Sequence, residues 1–109
     1  MPATQRPLYQ MKADFFKTLG HPVRIRVLEL LSMREHAVSE MLDEIGIEAA
    51  NLSQQLSILR RAGLVTAHRE GLSVTYALTS PQVAELLAVA RAILTGVVAG
   101  QAQALGQSA

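Results

Sequence analysis

The sequence predicts a mainly α-helical fold with one small β-hairpin, in the α+β class, with the element order α-α-α-α-β-β-α. Three observations support this prediction. Apolar residues recur at helical spacing along most of the chain, glycine or proline interrupts this spacing at the junctions, and residues 64–78 are rich in β-branched residues around one glycine. The length of 109 residues fits a single domain.

A Gly-His-Pro sequence separates the first two helices. Pro7 opens a helix that is predicted to end near Leu19. Pro22 suits the first turn of the next helix, which is expected to end near Met33. Because His21 lies in this junction, we expect it to orient the turn rather than to bind a metal ion.

Two shorter helices follow, joined by a tight turn that contains glycine. Apolar spacing predicts a helix over about 38–44, which Gly46 ends as a C-terminal cap, and another over about 48–62, which Gly63 closes. Two short helices connected in this way are typical of a helix-turn-helix.

The chain then changes to strand-like periodicity. Segments 64–69 and 73–78 are predicted strands that flank a three-residue loop, Glu70-Gly71-Leu72, in which the glycine supplies a positive φ. A last helix is predicted from Pro81 to about Ala99. The sequence therefore predicts one domain over residues 1–99 and an irregular tail over residues 100–109.

This order of elements describes a winged helix-turn-helix, in which one helix fits the major groove of double-stranded DNA. A polar helix face alone is more often a solvated surface, so the ordered combination supports the DNA interpretation. Asn and Gln side chains can bind adenine through two hydrogen bonds, and Arg side chains can contact phosphates. The predicted DNA-binding residues are Asn51, Ser53, Gln54, Gln55, Ser57, Arg60, Arg61, His68 and Arg69.

The last helix is apolar almost all round, and half of the whole chain is apolar. A domain this small cannot surround such a helix, so either a bilayer or a second chain must cover it. Glu85 and Arg91 interrupt the apolar run, which disfavours a membrane span and favours a cytoplasmic homodimer. The predicted dimer-interface residues are Leu8, Met11, Phe15, Phe16, Leu86, Leu87, Ala90, Leu94 and Val97.

Three segments, in this order and spacing, resemble the ArsR/SmtB family of bacterial winged-helix repressors over about residues 12–79. They are FKTLGHPVRIRVLELL at 16–31, NLSQQLSILRRAGLV at 51–65 and REGLSVTYAL at 69–78. The resemblance implies a homodimeric transcriptional repressor that releases its operator when an effector binds. It also implies that the first and last helices form the dimer interface.

The sequence departs from that family at its metal sites. The chain has no Cys, so the thiolate site expected near residues 36–41 is absent. The last helix has Glu85 as its one carboxylate and no His up to Ala99, so the family's other common site is not carried over either. We predict no cofactor and no metal, although a site built from His21, His36 or His68 stays open.

The effector is not identified by the sequence. DNA binding could be switched by a small molecule or by a partner protein, or it could involve no ligand at all. The alternative function is a protein-interaction module without DNA binding, which the net charge of +1 mildly favours, and absence of DNA retention at low salt would support it. No phosphate-binding loop, nucleophile elbow or paired carboxylates indicate an enzyme.

Overall fold

The computed structural model of the chain describes residues 6–108, which form five helices and three strands. The predicted helices and hairpin are confirmed in their predicted order. The elements are α1 (Leu8–Leu19), α2 (Pro22–Met33), β1 (His36–Ala37), α3 (Val38–Ile45), α4 (Ala49–Arg61), β2 (Val65–Glu70), β3 (Ser73–Leu78) and α5 (Pro81–Ser108).

The junction between α1 and α2 is organised by a histidine. His21 is the N-cap of α2, and its Nδ1 accepts a hydrogen bond from the backbone N–H of Val23 at 3.2 Å. Pro22 occupies the first turn, where its missing N–H leaves no helical bond unmade. The expectation that His21 orients the turn is confirmed.

The sheet has three strands, one more than predicted. The two residues of β1 pair antiparallel with β3, with His36 opposite Tyr76, and the strand order is β1-β3-β2. A two-residue strand shows no alternation of polar and apolar residues, so the sequence carried no periodic signal for it.

The hairpin loop is shorter than the three residues predicted. Glu70 pairs with Ser73, which leaves Gly71 and Leu72 as the loop. Gly71 has a φ of 61°, and no residue other than glycine has a positive φ within the described part of the chain. Glycine at the first of two loop residues matches a type II′ turn.

The core lies between the helix-turn-helix and the sheet. Val27 and Leu28 of α2 and Met41 of α3 are fully buried, and Val83 at the start of α5 is 7% exposed. From α4, the buried leucines are Leu52, Leu56 and Leu59.

The predicted irregular tail is corrected, because α5 continues through Ser108. Alanine, glutamine and leucine, which dominate residues 101–105, are good helix formers. They carry the helix across Gly100, although glycine costs about 1 kcal/mol relative to alanine in a helix interior.

Most of α5 has no cover from its own chain. Residues 88–106 are all exposed. Among residues 6–108, α5 is the one helix that is long and apolar enough to cross a membrane by length and composition, with a hydropathy of 1.8 over Pro81–Gly106. Only 6% of the apolar stretch of this helix is buried inside the chain.

The start of α3 depends on a glutamate rather than on its N-cap. The N-cap residue, Ala37, has no side-chain acceptor, but its backbone N–H donates to Oε1 of Glu40 at 2.9 Å. Nη2 of Arg34 donates to the other carboxylate oxygen at 2.8 Å. The hydrogen bond from Arg34, followed by that from Ala37, lowers the pKa of Glu40 from 4.5 to about 2.

This depressed pKa predicts a loss of stability in acid. The ionised Glu40 favours the folded state fully above about pH 4.5, and that contribution disappears as the pH falls toward 2. Urea unfolding should therefore show wild type more stable than Glu40→Gln at neutral pH, with the difference shrinking between about pH 5 and pH 2. A difference that stays constant over this range would contradict the assignment.

Candidate nucleic-acid interface

One face of α4 is buried and the other carries polar side chains in solvent. Leucines on the buried face repeat at positions i, i+4 and i+7, which anchors the helix on the core. The opposite face, hereafter the reading face, consists of Asn51, Ser53, Gln54, Ser57, Arg60 and Arg61, all of which are exposed.

Gln55 does not belong to the reading face, and its predicted position is corrected. It is only 6% exposed, because it follows Leu52 by three residues and so falls within the apolar stripe of α4. Its Oε1 accepts a hydrogen bond from Nη1 of Arg24 at 2.7 Å, and its Nε2 donates to Oδ1 of Asn51 at 3.0 Å. The same i, i+3 spacing, read strictly, could have placed Gln55 inside.

Arg24 was not predicted as part of the site. It is half-buried and joins three helices, because its Nε also donates to the carbonyl of Thr18 near the end of α1, at 2.6 Å. The sequence contained one signal for such a partner: an amide within the apolar stripe of α4 must find a hydrogen bond. Nothing in the sequence identified which residue would supply it.

The C-terminal end of the reading face is basic. Ser57, Arg60 and Arg61 line a shallow depression of about 560 Å³. Within residues 6–108 neither of these two guanidinium groups forms an ion pair, so both are available to an anion. Unpaired arginines on an exposed helix are suited to contacts with phosphate oxygens.

The hairpin carries the two remaining predicted DNA-binding residues. Arg69 and His68 lie near the tip of β2, and both are exposed. Nε2 of His68 lies 3.1 Å from Oε1 of Glu70, so an acidic group accompanies the histidine. Arg69 is opposite Val74 and has no such carboxylate partner in the described part of the chain.

The predicted dimer-interface residues lie on α1 and α5. The exposed fractions are 63% for Leu8, 53% for Met11, 56% for Phe16, 62% for Leu94 and 48% for Val97. Ala90 is also exposed, whereas Phe15, Leu86 and Leu87 are half-buried.

Two apolar grooves connect these helices into one surface. The first, of about 540 Å³, runs between α1, the start of α2 and α5, and is lined by Phe16, Ile25 and Leu86 among others. The second, of about 720 Å³, lies between α2 and α5 and includes Ile25 and Leu94. We call this connected region the apolar surface.

The histidines do not come together. His21 caps α2, His36 is buried with its Nδ1 2.8 Å from the carbonyl oxygen of Arg34, and His68 lies on the hairpin. Within the described residues, no group of three or more His, Asp or Glu side chains is placed to hold a metal ion.

Comparison with known proteins agrees with the fold. A helix-turn-helix domain family matches residues 19–68. The HTH-type transcriptional regulator Rv0081 of Mycobacterium tuberculosis is 53% identical over 100 residues, which cover 91% of this chain and 88% of that protein. Its crystal structure has a TM-score of 0.81 and covers 89% of this chain and 98% of that one.

Two further relatives carry informative names. The biofilm growth-associated repressor of Xylella fastidiosa is 40% identical over 75 residues, covering 69% of this chain and 66% of that protein. A homodimeric winged helix-turn-helix DNA-binding domain of Mycobacterium bovis, called a possible ArsR-family transcriptional regulator, has 29% identity and a TM-score of 0.75, covering 88% of this chain and 93% of that one. The chain therefore belongs to the ArsR family of winged helix-turn-helix transcriptional regulators and is a DNA-binding protein.

Proposed function

We propose that the protein is a homodimeric transcriptional repressor that binds an inverted-repeat operator. The observation that carries this proposal is the reading face of α4, which presents amide, hydroxyl and guanidinium groups to solvent on a helix fixed by buried leucines. A helix of this kind fits the major groove, where each base pair shows a distinct pattern of donors and acceptors.

A second copy of the chain is the proposed cover for the apolar surface. Monomeric soluble proteins rarely expose large continuous apolar regions, and here one extends over α1, α2 and α5. A bilayer suits α5 less well, because Arg91 lies within the helix and a central arginine costs about 2.5–3.5 kcal/mol on insertion scales. The homodimeric domain of M. bovis supports the same assignment. We also propose that the protein acts in the cytoplasm, as is typical of transcriptional regulators of this kind.

Twofold symmetry then determines the form of the operator. A dimer presents two copies of α4 to successive major grooves, about 34–36 Å apart, and so prefers an inverted repeat.

The exposed polar residues are assigned to two kinds of DNA contact. We assign base contacts to Asn51, Ser53 and Gln54 on the N-terminal half of α4. Phosphate contacts are assigned to Ser57, Arg60, Arg61, His68 and Arg69. Repression is proposed because two relatives are named as repressors, one a biofilm growth-associated repressor and the other a probable mercury resistance operon repressor.

Selection of bound sequences from random DNA tests this proposal. We expect enrichment of an inverted repeat with half-site centres about 10 base pairs apart. Sedimentation of the selected complex should show two chains per site. Enrichment of a single half-site, or of no sequence at all, would contradict the proposal.

The two arginines at the end of α4 provide a test of the phosphate contacts. Arg60→Ala or Arg61→Ala should weaken binding to the operator and to random DNA alike, because phosphates carry no sequence information. In a dimer each substitution removes two contacts, so the slope of log affinity against log salt should decrease in magnitude by about 2. Fluorescence anisotropy across a salt series measures both quantities.

Arg26→Ala is the matched control for this experiment. Its guanidinium is exposed on α2 and already lies 3.4 Å from Glu29, so it should leave the salt slope unchanged. An unchanged slope for both α4 variants would exclude the arginines from phosphate binding.

A further inference from the structure

A continuous chain of side-chain hydrogen bonds connects α2 with the reading face. Nη1 of Arg24 donates to Oε1 of Gln55 at 2.7 Å, and Nε2 of Gln55 donates to Oδ1 of Asn51 at 3.0 Å. The first member is half-buried, the second is buried and the third is exposed. The chain therefore runs from the interior to the surface that is proposed to face DNA.

The guanidinium group determines the direction of every bond in this chain. Arginine has only donors, so the group of Gln55 that faces it must be the carbonyl oxygen. The amide nitrogen of Gln55 then points the other way and can only donate. Asn51 must therefore accept this hydrogen bond through its own carbonyl oxygen, so its Oδ1 faces Gln55 and its Nδ2 faces away.

The surroundings hold this arrangement in place. Arg24 is fixed a second time, because its Nε donates to the carbonyl oxygen of Thr18 at 2.6 Å. Reversing the amide of Gln55 would turn N–H donors toward the donors of the guanidinium. At a site that is 6% exposed, water cannot readily replace the lost bonds, so the reversed form is disfavoured.

We propose that Arg24, acting through Gln55, makes Asn51 a hydrogen-bond donor toward DNA and so sets its base preference. This inference rests on the proposed contact of α4 with base edges. Recognition of adenine by asparagine uses both the oxygen and the nitrogen of the amide, but the oxygen of Asn51 faces the protein. An N–H donor instead selects O6 of guanine or O4 of thymine over the amino groups of adenine and cytosine, because N7 is an acceptor on both purines and does not distinguish them.

Gln55→Glu tests the proposal, because it removes the N–H donor that residue 55 directs toward Asn51 while keeping nearly the same side-chain shape. A carboxylate accepts from Arg24 as the amide does, but it cannot donate to Asn51. Asn51 should then turn its Nδ2 toward the carboxylate and its Oδ1 toward DNA. Selection from random DNA should show the preference at one position of each half-site change from guanine or thymine to adenine or cytosine, which present donors.

Asn51→Ala identifies the position concerned. Asn51 is exposed, so this substitution should not disturb the fold. It should remove a preference of about tenfold for one class of base at that position, both in wild type and in combination with Gln55→Glu. The other positions of the half-site should keep their preferences in all three variants. A loss of packing alone would weaken binding without exchanging one class of base for another.

Two variants of Arg24 keep the proposal testable if the buried carboxylate prevents folding. Arg24→Met removes the donors and should broaden the preference at the Asn51 position, since both amides are then free to reverse. Arg24→Lys keeps a group that can only donate and should retain the preference. Circular dichroism checks that each variant is folded.

The outcomes separate this inference from the proposed function. If an inverted repeat is selected but Gln55→Glu or Arg24→Met keeps the wild-type preference at the Asn51 position, the inference is wrong and the operator proposal stands. If Asn51→Ala changes no position, the inference is likewise overturned. Failure of the wild-type protein to select any sequence would overturn both.

Discussion

Leu94→Glu is expected to convert the dimer into a folded monomer that has lost its operator affinity. Leu94 is 62% exposed in the single chain, so a charge there does not disturb the monomer, but it would be buried unpaired between two copies of α5. Each monomer would hold only one half-site. The linkage between half-sites commonly contributes about 10²–10⁴-fold in affinity, and a loss of this size is expected.

Ala92→Glu is the matched control for the dimer. It places the same charge on the same helix, on the face that already carries Glu85 one heptad earlier and that lies nearly opposite Leu94. Sedimentation velocity at micromolar concentration should show a dimer for this variant and for wild type, and a monomer for Leu94→Glu. Flotation with phospholipid vesicles adds an independent result: if wild type floats with the lipid, a bilayer covers α5 and the dimer assignment is wrong.

Leu28→Ala is expected to cause the second largest effect, on the stability of the fold. Leu28 is fully buried at the centre of α2 and belongs to the core cluster that also contains residues of α3, α4 and α5. Replacing a buried leucine by alanine costs about 2–5 kcal/mol, depending on how far the cavity collapses. Whole domains are stable by only about 5–15 kcal/mol, so the urea midpoint should fall steeply.

Leu72→Ala controls for the change of residue type. Leu72 is fully exposed at the tip of the hairpin, so its replacement should leave the urea midpoint within experimental error. Both variants must be compared with wild type at one protein concentration, because unfolding of a dimer depends on concentration. Equal midpoints for the two leucine variants would contradict the assigned core.

Signals of different strength explain which parts of the fold were predictable. Pro22 and Gly46 mark helix ends by local chemistry, and the structure places a helix start and a left-handed cap at these two residues. The two-residue strand β1 has no local signal, because it exists only through pairing with β3. The sequence predicts an end of α5 near Ala99 because residues 100–109 are only Gln, Ala, Leu, Gly and Ser, but the helix formers among them continue α5 through Ser108.

The sequence predicts which face of α4 is polar, but it does not predict the hydrogen bonds between the residues of the site. Polar residues on the exposed side of α4 follow directly from the spacing of its leucines. Gln55 is the exception, because its amide group suggests the polar face whereas its position three residues after Leu52 places it in the apolar stripe. Its partner Arg24 lies 31 residues earlier, and a contact between two helices at that separation requires the tertiary structure.

The direct continuation of β1 into α3 has a mechanical consequence. β1 ends at Ala37 and α3 begins at Val38, with no loop residue between them. Because β1 is paired with β3, the hairpin cannot tilt without either breaking these pairs or carrying α3 with it. The hairpin and α3, the first helix of the helix-turn-helix, are therefore expected to move together, so a displacement of the hairpin on DNA would also shift α3.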